Sequence, residues 1–259
     1  MSAKKETLGK TVGIVVAVCL ACSIVVSGAA VGLRSLQNTN AALDKQSNIL
    51  KAAGLAGEAV SKADIAKIYD ERVEEKFVNL DTGEYVANPA EGTGKPYDMY
   101  GKVSKDPSTS VQVEGAPAGF NRRANVANVY HIKDEQGAVS RIILPVHGSG
   151  LWDLMYGLLA IDSDGKTVRE LIYYQHKETP GLGGEIQNPA WQEKWDGIKL
   201  YKDGEVAVQV KKGVKPGDEY AVDALSGATL TSNGVQNTLV YWMSDNGFGP
   251  YLKNQSWKS

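Results

Sequence analysis

Three short segments concentrate the residues of this 259-residue chain that can do chemistry: Gly148–Gly157 (GSGLWDLMYG), His176–Glu185 (HKETPGLGGE) and Asp223–Ser232 (DALSGATLTS). In the third, Ser226, Gly227 and Ala228 form a small-residue turn that leads through Thr229 into a helix-patterned stretch. Such a turn leaves backbone N–H groups free beside a positive helix end, which favours an anion such as a phosphate there. Gly227 lets backbone approach a ligand closely, and Ala228 puts no bulk in the way. The alternative is a plain capping turn, with Thr229 or Ser232 as the cap. A threonine hydroxyl needs a base or metal to attack, and no convincing base is readable beside Thr229, so self-modification is not expected.

In the second segment Pro180 fixes a turn, while Gly181, Gly183 and Gly184 bring backbone amides close to whatever lies above them. The spacing is neither G-x-G-x-x-G nor a P-loop, so a dinucleotide or nucleoside-triphosphate site is unsupported. In the first segment Leu151 and Trp152 suit a flat cofactor, with burial in the core as the alternative for Trp152. Lys211 or Lys212, at a strand end ahead of the SGAT turn, can pair with a phosphate or stand as a solvated surface lysine. His131, His147 and His176 have no metal-ligand spacing, and no G-x-S-x-G elbow supports a hydrolase.

Hairpins must position these segments. VANVYHI and VSRIILPVH flank a turn at Glu135-Gln136-Gly137; GLLAIDS and TVRELIYYQH are joined through Asp164-Gly165; IKLYKDGEVAVQV repeats the device with Asp203-Gly204. A final helix from about Asn233 to Ser244 carries Val235, Leu239, Val240 and Met243 on one side. Upstream, residues 38–57 read as a short amphipathic helix, Ser61 caps a second helix over about Lys62–Phe77, and Asn79–Gly119 reads mostly as loop. Alternating β and α units are absent, so the expected class is α+β: flanking helices on an antiparallel sheet.

Ahead of this domain, Thr11–Leu33 carries no charge and at about 1.5 Å per residue spans the roughly 30 Å of a bilayer core. Lys4, Lys5 and Lys10 precede it and Arg34 follows, which places residues 1–10 in the cytoplasm, 11–33 in the membrane and 34–259 in the periplasm of a Gram-negative cell. A cleaved signal peptide ending at Ser27-Gly28-Ala29-Ala30 is the competing reading, and the length of the apolar run favours retention. With no ionisable group inside it, the helix anchors rather than conducts. Cys19 and Cys22 lie within this run, so the soluble part has no thiol for a disulfide framework or a Cys-ligated site, and the pair reads as apolar filler. A formal charge of -2 gives no footprint for nucleic acid.

DALSGATLTS resembles the flavinylation motif of the FMN-binding domain family, in which an Asp, a Ser/Thr-Gly-Ala-Thr core and a following Thr or Ser surround a covalently modified threonine. HKETPGLG is similar to a second signature of that family, in the expected order and separation. Length, single anchor and the juxtamembrane LDKQSNILKAAGL most resemble the C-subunit family of sodium-translocating NADH:quinone reductases, ahead of the flavin subunits of Rnf-type complexes. The resemblance implies FMN joined through its phosphate to Thr229, with Ser226, Gly227, Ala228, Glu178, Thr179, Gly181, Leu182, Gly183, Leu151, Trp152 and Lys211 around it. It further implies loading by a separate magnesium-dependent flavin transferase, with Asp223 in the recognition sequence or positioning metal; an exposed turn carboxylate is the alternative for Asp223. The chain is then an electron-transfer subunit, without catalytic residues of its own, of a multisubunit quinone reductase in the bacterial inner membrane, in contact with lipid and its partner subunits. An anchored binding or assembly module without flavin is the competitor from another class.

Overall fold

The computed structural model describes residues 8–57 and 60–258, so of the expected cytoplasmic segment, residues 1–7 with Lys4 and Lys5 lie outside the described residues. The chain divides into two compact units, Met1–Lys45 and Gln46–Ser259. The anchor and the expected amphipathic helix are one element, α1 (Leu8–Ala52), of 45 residues. It holds an 18-residue window of mean hydropathy 2.7, none of it buried, and is long and apolar enough to cross a membrane. No glycine or proline separates residues 34–51, so nothing in the backbone stops the helix at the end of the apolar run. It stops at Gly54, whose φ of +68° supports a Schellman close: Leu55 N–H to Leu50 O and Gly54 N–H to Lys51 O, both 2.9 Å.

The second unit follows in chain order. Helix α2 (Lys62–Arg72) is capped as expected by Ser61, whose hydroxyl accepts from Asp64 N–H. It ends five residues early, because Val73 onward is drawn into strand β1 (Val73–Asn79), paired along its whole length with β5. The stretch expected as loop holds three short pieces, β2 (Tyr85–Val86), α3 (Lys102–Lys105) and β3 (Ser110–Gln112), and leads into β4 (Arg122–Ala124). Then come the long strands β5 (Val126–Lys133), β6 (Val139–Ser149), β7 (Leu154–Asp162) and β8 (Val168–Gln175). They form an antiparallel six-stranded sheet of order β2-β1-β5-β6-β7-β8.

Asp134 closes the β5–β6 turn by accepting the N–H groups of Gln136 and Ala138, and Asp164 does the same for Lys166 and Thr167 in the β7–β8 turn. After α4 (Pro189–Gln192), the hairpin of β9 (Tyr201–Lys202) and β10 (Glu205–Val206) turns on Asp203 and Gly204, both at positive φ as a type I′ turn requires. One departure from the antiparallel expectation is β11 (Gln209–Lys211), which pairs in parallel with β12 (Ala221–Asp223). The final pair of helices is α5 (Thr229–Met243) and α6 (Gly249–Asn254). Helix α5 begins four residues ahead of its sequence-expected start, because its first turn, Thr229 to Ser232, holds a single large apolar residue, Leu230, and that one is exposed, so no apolar periodicity marks it.

Both faces of the sheet are covered, which is why β6 and β7 read as apolar runs rather than strict alternations. On one face Val129, Ile142, Leu144, Val146 and Leu159 pack with Val235, Leu239 and Trp242 of α5. On the other, Tyr130, Ile132, Ile143, Leu158 and Ala160 meet Ile49, Ala52 and Ala53 at the end of α1. Two histidines are built into these layers. His131 bonds Tyr251 Oη at 2.8 Å, and His147 lies among Phe120, Tyr156 and Trp242.

Burial pushes His131 down to about 4, against a partly opposing pull from Glu74, and pushes His147 down to about 3. Both rings are therefore neutral in the fold, while the unfolded chain protonates them near pH 6.5. Between these values the unfolded state binds more protons, so stability falls as pH is lowered. Denaturation midpoints of the full chain in detergent are expected to fall between pH 6.5 and 4, with up to about 1.4 kcal/mol per pH unit from each histidine. A flat profile over that range would show that the rings are charged in the fold.

Candidate functional site

Two turns of the same kind build the site. In HKETPGLGGE, Leu182 N–H returns to Thr179 O at 3.1 Å, with Pro180 second and Gly181 third at φ +74°, the pattern of a type II turn. In DALSGATLTS, Ala228 N–H returns to Leu225 O at 3.3 Å, again with a glycine, Gly227, third at φ +74°. The turns lie against each other: a Cβ on Gly227 would stand 3.2 Å from Leu182 Cδ2.

Helix α5 starts at Thr229 with Ala228 as N-cap residue and no side-chain cap, so Thr229 is not the cap, and it is the Ser232 hydroxyl that ties the turn to the helix start. The motif's hydroxyls sort by environment. Thr231 and Ser232 are each 1% exposed. Thr231 Oγ1 donates to Glu178, and Ser232 Oγ donates to Ala228 O at 2.9 Å while accepting from Leu225 N–H at 3.0 Å. Ser226 and Thr229 are exposed, and of these Thr229 alone stands on the helix.

The first segment joins through Glu178. Its Oε1 accepts the backbone N–H groups of Leu151 at 3.0 Å and Trp152 at 3.1 Å, and its Oε2 takes the Thr231 hydroxyl. Trp152 Nε1 donates to Thr179 Oγ1 at 3.2 Å. Lys177 Nζ pairs with Asp153 at 2.5 Å, a hydrogen bond that holds the Asp153 carboxyl below its ordinary range. Close approach is possible because the contacts lack side chains: a Cβ on Gly234 of α5 would overlap the carbonyl oxygen of Ser149, and one on Gly183 would press on Thr231 and Glu178.

Among the described residues outside α1, seven large apolar side chains are exposed: Tyr85, Val86, Leu151, Trp152, Leu182, Leu230 and Val240. Four of them, Leu151, Trp152, Leu182 and Leu230, belong to the three segments, so the apolar surface left open gathers there. The arrangement fits FMN: backbone N–H groups at an uncapped helix start for the phosphate, and the exposed Trp152 indole with Leu151, Leu182 and Leu230 for the ring.

The sequence-expected residues fare differently. Thr229, Ser226, Gly227, Ala228, Thr179, Gly181, Leu182, Leu151 and Trp152 are brought together in or beside the two turns. Glu178 and Gly183 are buried beneath them rather than lining open space. Lys211 pairs with Asp218 at 3.2 Å and Gln209 at 3.0 Å, and none of its described bonds reaches the turn. Asp223 is half-buried, not an exposed turn carboxylate: its Oδ1 accepts Val214 N–H at 3.0 Å and its carbonyl accepts Trp191 Nε1 at 2.8 Å. Sequence reasoning passed over Thr231, Gly150 and Gly234, whose signal is the recurrence of small residues at positions that face one another only in the fold. A shallow cavity of about 680 Å³, lined by Glu74, Tyr85, His131 and Val139, lies at the Val139 end of β6, away from the Ser149 end that enters the site.

The FMN-binding domain family matches residues 150–244, which take in all three segments beyond Ser149. The chain is 46% identical over 253 residues to the C subunit of the Na(+)-translocating NADH-quinone reductase of Yersinia pestis, covering 96% of this chain and 93% of that one. It is 46% identical over 256 residues to the C subunit of the Vibrio alginolyticus reductase, covering 97% and 96%. Among solved structures it is similar to the crystal structure of Shewanella oneidensis NqrC, with a TM-score of 0.74 and 31% identity over 82% of this chain and 96% of that chain. The crystal structure of the corresponding C subunit from Parabacteroides distasonis gives a TM-score of 0.66 and 28% identity, covering 85% and 96%.

Proposed function

The chain belongs to the C-subunit family of the Na(+)-translocating NADH-quinone reductase, and we propose that it relays electrons within such a complex through FMN attached by a phosphodiester bond to Thr229. The observation that carries this reading is the sorting of hydroxyls: Thr231 and Ser232 are buried and bonded, while Thr229 is exposed at the uncapped start of α5. Bound there, FMN supplies reversible electron transfer, and the protein sets its orientation, exposure and distance to partners. The first-turn amides of α5 face the phosphate, the Gly227 turn lets backbone approach it, and Leu151, Trp152, Leu182 and Leu230 offer the ring an apolar surround.

Loading falls to a separate flavin transferase, which needs the exposed turn, and Asp223 serves there by holding the approach to it in shape. Helix α1 anchors the subunit in the inner membrane among lipid and the other subunits, with its N-terminus in the cytoplasm and the flavin domain in the periplasm. Lys4, Lys5 and Lys10 against Arg34 support that orientation.

The test is the intact mass of the chain purified from its native membranes, with peptide mapping across residues 223–232. A gain of one FMN less water on Thr229 is expected. An unmodified peptide from membranes with an active flavin transferase would leave the site as a binding or assembly surface.

A further inference from the structure

Three consecutive residues, Lys177, Glu178 and Thr179, grip the loop 151–153 through the bonds given above, and only the middle one reaches a third element. The Glu178 side chain is 4% exposed, and its three hydrogen bonds all stay inside the protein. Space for it is made by glycine: a Cβ on Gly150 would lie 2.7 Å from Glu178 Cδ, and one on Gly183 would lie 2.6 Å from Oε2. A ring-lining role needs free surface, and this carboxylate has none. What it does have is a grip on both sides of the site: the backbone that carries Trp152, and the first turn of α5, two residues from Thr229.

We propose that Glu178 is a positioning residue that ties the Trp152 loop to the first turn of α5 and so fixes where the indole stands relative to the group on Thr229. Trp152 is 67% exposed. Packing therefore does little to hold the ring; its placement comes from the backbone amides bound to Oε1 and from the single bond to Thr179. Removing the carboxylate leaves the N–H groups of Leu151 and Trp152 without their acceptor and frees the buried Thr231 hydroxyl, so the loop and the helix turn part company. A glutamine at 178 keeps the tie, because one amide oxygen accepts both N–H groups while the NH₂ donates to Thr231 Oγ1. The tie stands on the geometry alone; its consequence for the flavin rests on the Thr229 reading above.

The experiment compares wild type, Glu178→Ala and Glu178→Gln as full chains purified from membranes that contain the transferase. Amide hydrogen exchange at Leu151 and Trp152 is expected to rise about tenfold or more in Glu178→Ala while that of β5 and β6 is unchanged. The visible spectrum and midpoint potential of the Thr229-bound flavin shift in the same variant, and Glu178→Gln restores exchange, spectrum and potential together. Unchanged exchange at 151–152 in Glu178→Ala overturns the tie. Raised exchange with a wild-type spectrum and potential overturns the positioning role and leaves the carboxylate purely structural.

Wild-type protein without flavin on Thr229 removes the flavin reading, and with it the flavin half of this proposal, while the exchange arm still decides the tie. Should Glu178→Ala fail to accumulate, Thr231→Val cuts only the α5 leg. A smaller shift of spectrum and potential is expected from it, and no shift overturns the coupling.

Discussion

Replacing Thr229 by alanine is expected to abolish covalent flavin while leaving the fold intact. The side chain is exposed at the first position of α5 and enters none of the described hydrogen bonds, so its loss changes stability by no more than about 0.5 kcal/mol. The chemistry, by contrast, has no substitute within the segment. Thr231 is buried under Glu178, and Ser232 spends its hydroxyl on Ala228 and Leu225. Ser226 is exposed but sits in the turn before Gly227, without the helix-start amides that favour a phosphate at position 229. Flavin fluorescence on a denatured gel therefore disappears in Thr229→Ala and persists in Thr229→Ser and Ser226→Ala. Fluorescence retained in a folded Thr229→Ala chain would move the attachment site, with Ser226 the next residue to map.

The contrast between Thr229 and Thr231 also marks where sequence stops being informative. Both threonines stand in one short run, and nothing local distinguishes their hydroxyls. The distinction comes from Glu178, 53 positions away, whose carboxylate fills the space above Thr231. Hairpins were legible because their signals are local: Asp164-Gly165 and Asp203-Gly204 specify their turns whatever surrounds them. Residues 73–79 were not, because a run with Val73 at helical spacing from Ile65 and Tyr69 becomes a strand only when β5 supplies a partner.

Glu178 and Lys211 are likewise sorted by partners far away in the sequence or outside the motif. A motif match places residues near a cofactor; whether a side chain faces the ligand or its supports depends on where its polar atoms find partners. Lys211 finds Asp218, and Glu178 finds three internal donors. The two family signatures are therefore held together as one mechanical unit.

Trp242→Ala is expected to take away a large share of the fold's stability, and by doing so to separate weakening of the scaffold from loss of the attachment point. The indole is fully buried, with ring centroids of Phe248 and His147 at 5.2 Å and Tyr241 at 5.5 Å, and its Nε1 donates to His147 O at 2.8 Å. Truncation costs about 3–5 kcal/mol for the cavity, with roughly a further 1 kcal/mol for the stranded carbonyl. Against a total stability of about 5–15 kcal/mol, that is a large share. Trp242→Phe keeps most of the volume and loses the bond, so the smaller loss should appear as an intermediate denaturation midpoint. Helix α5 is seated on β6 through this contact, and Thr229 is its first residue. Flavin incorporation in Trp242→Ala should accordingly fall in step with the folded fraction, whereas in Thr229→Ala it falls at full stability. If Trp242→Ala instead stays folded and loads flavin normally, the seat of α5 on β6 is not what presents Thr229 to the transferase, and the Glu178 tie with the two type II turns must hold the site unaided.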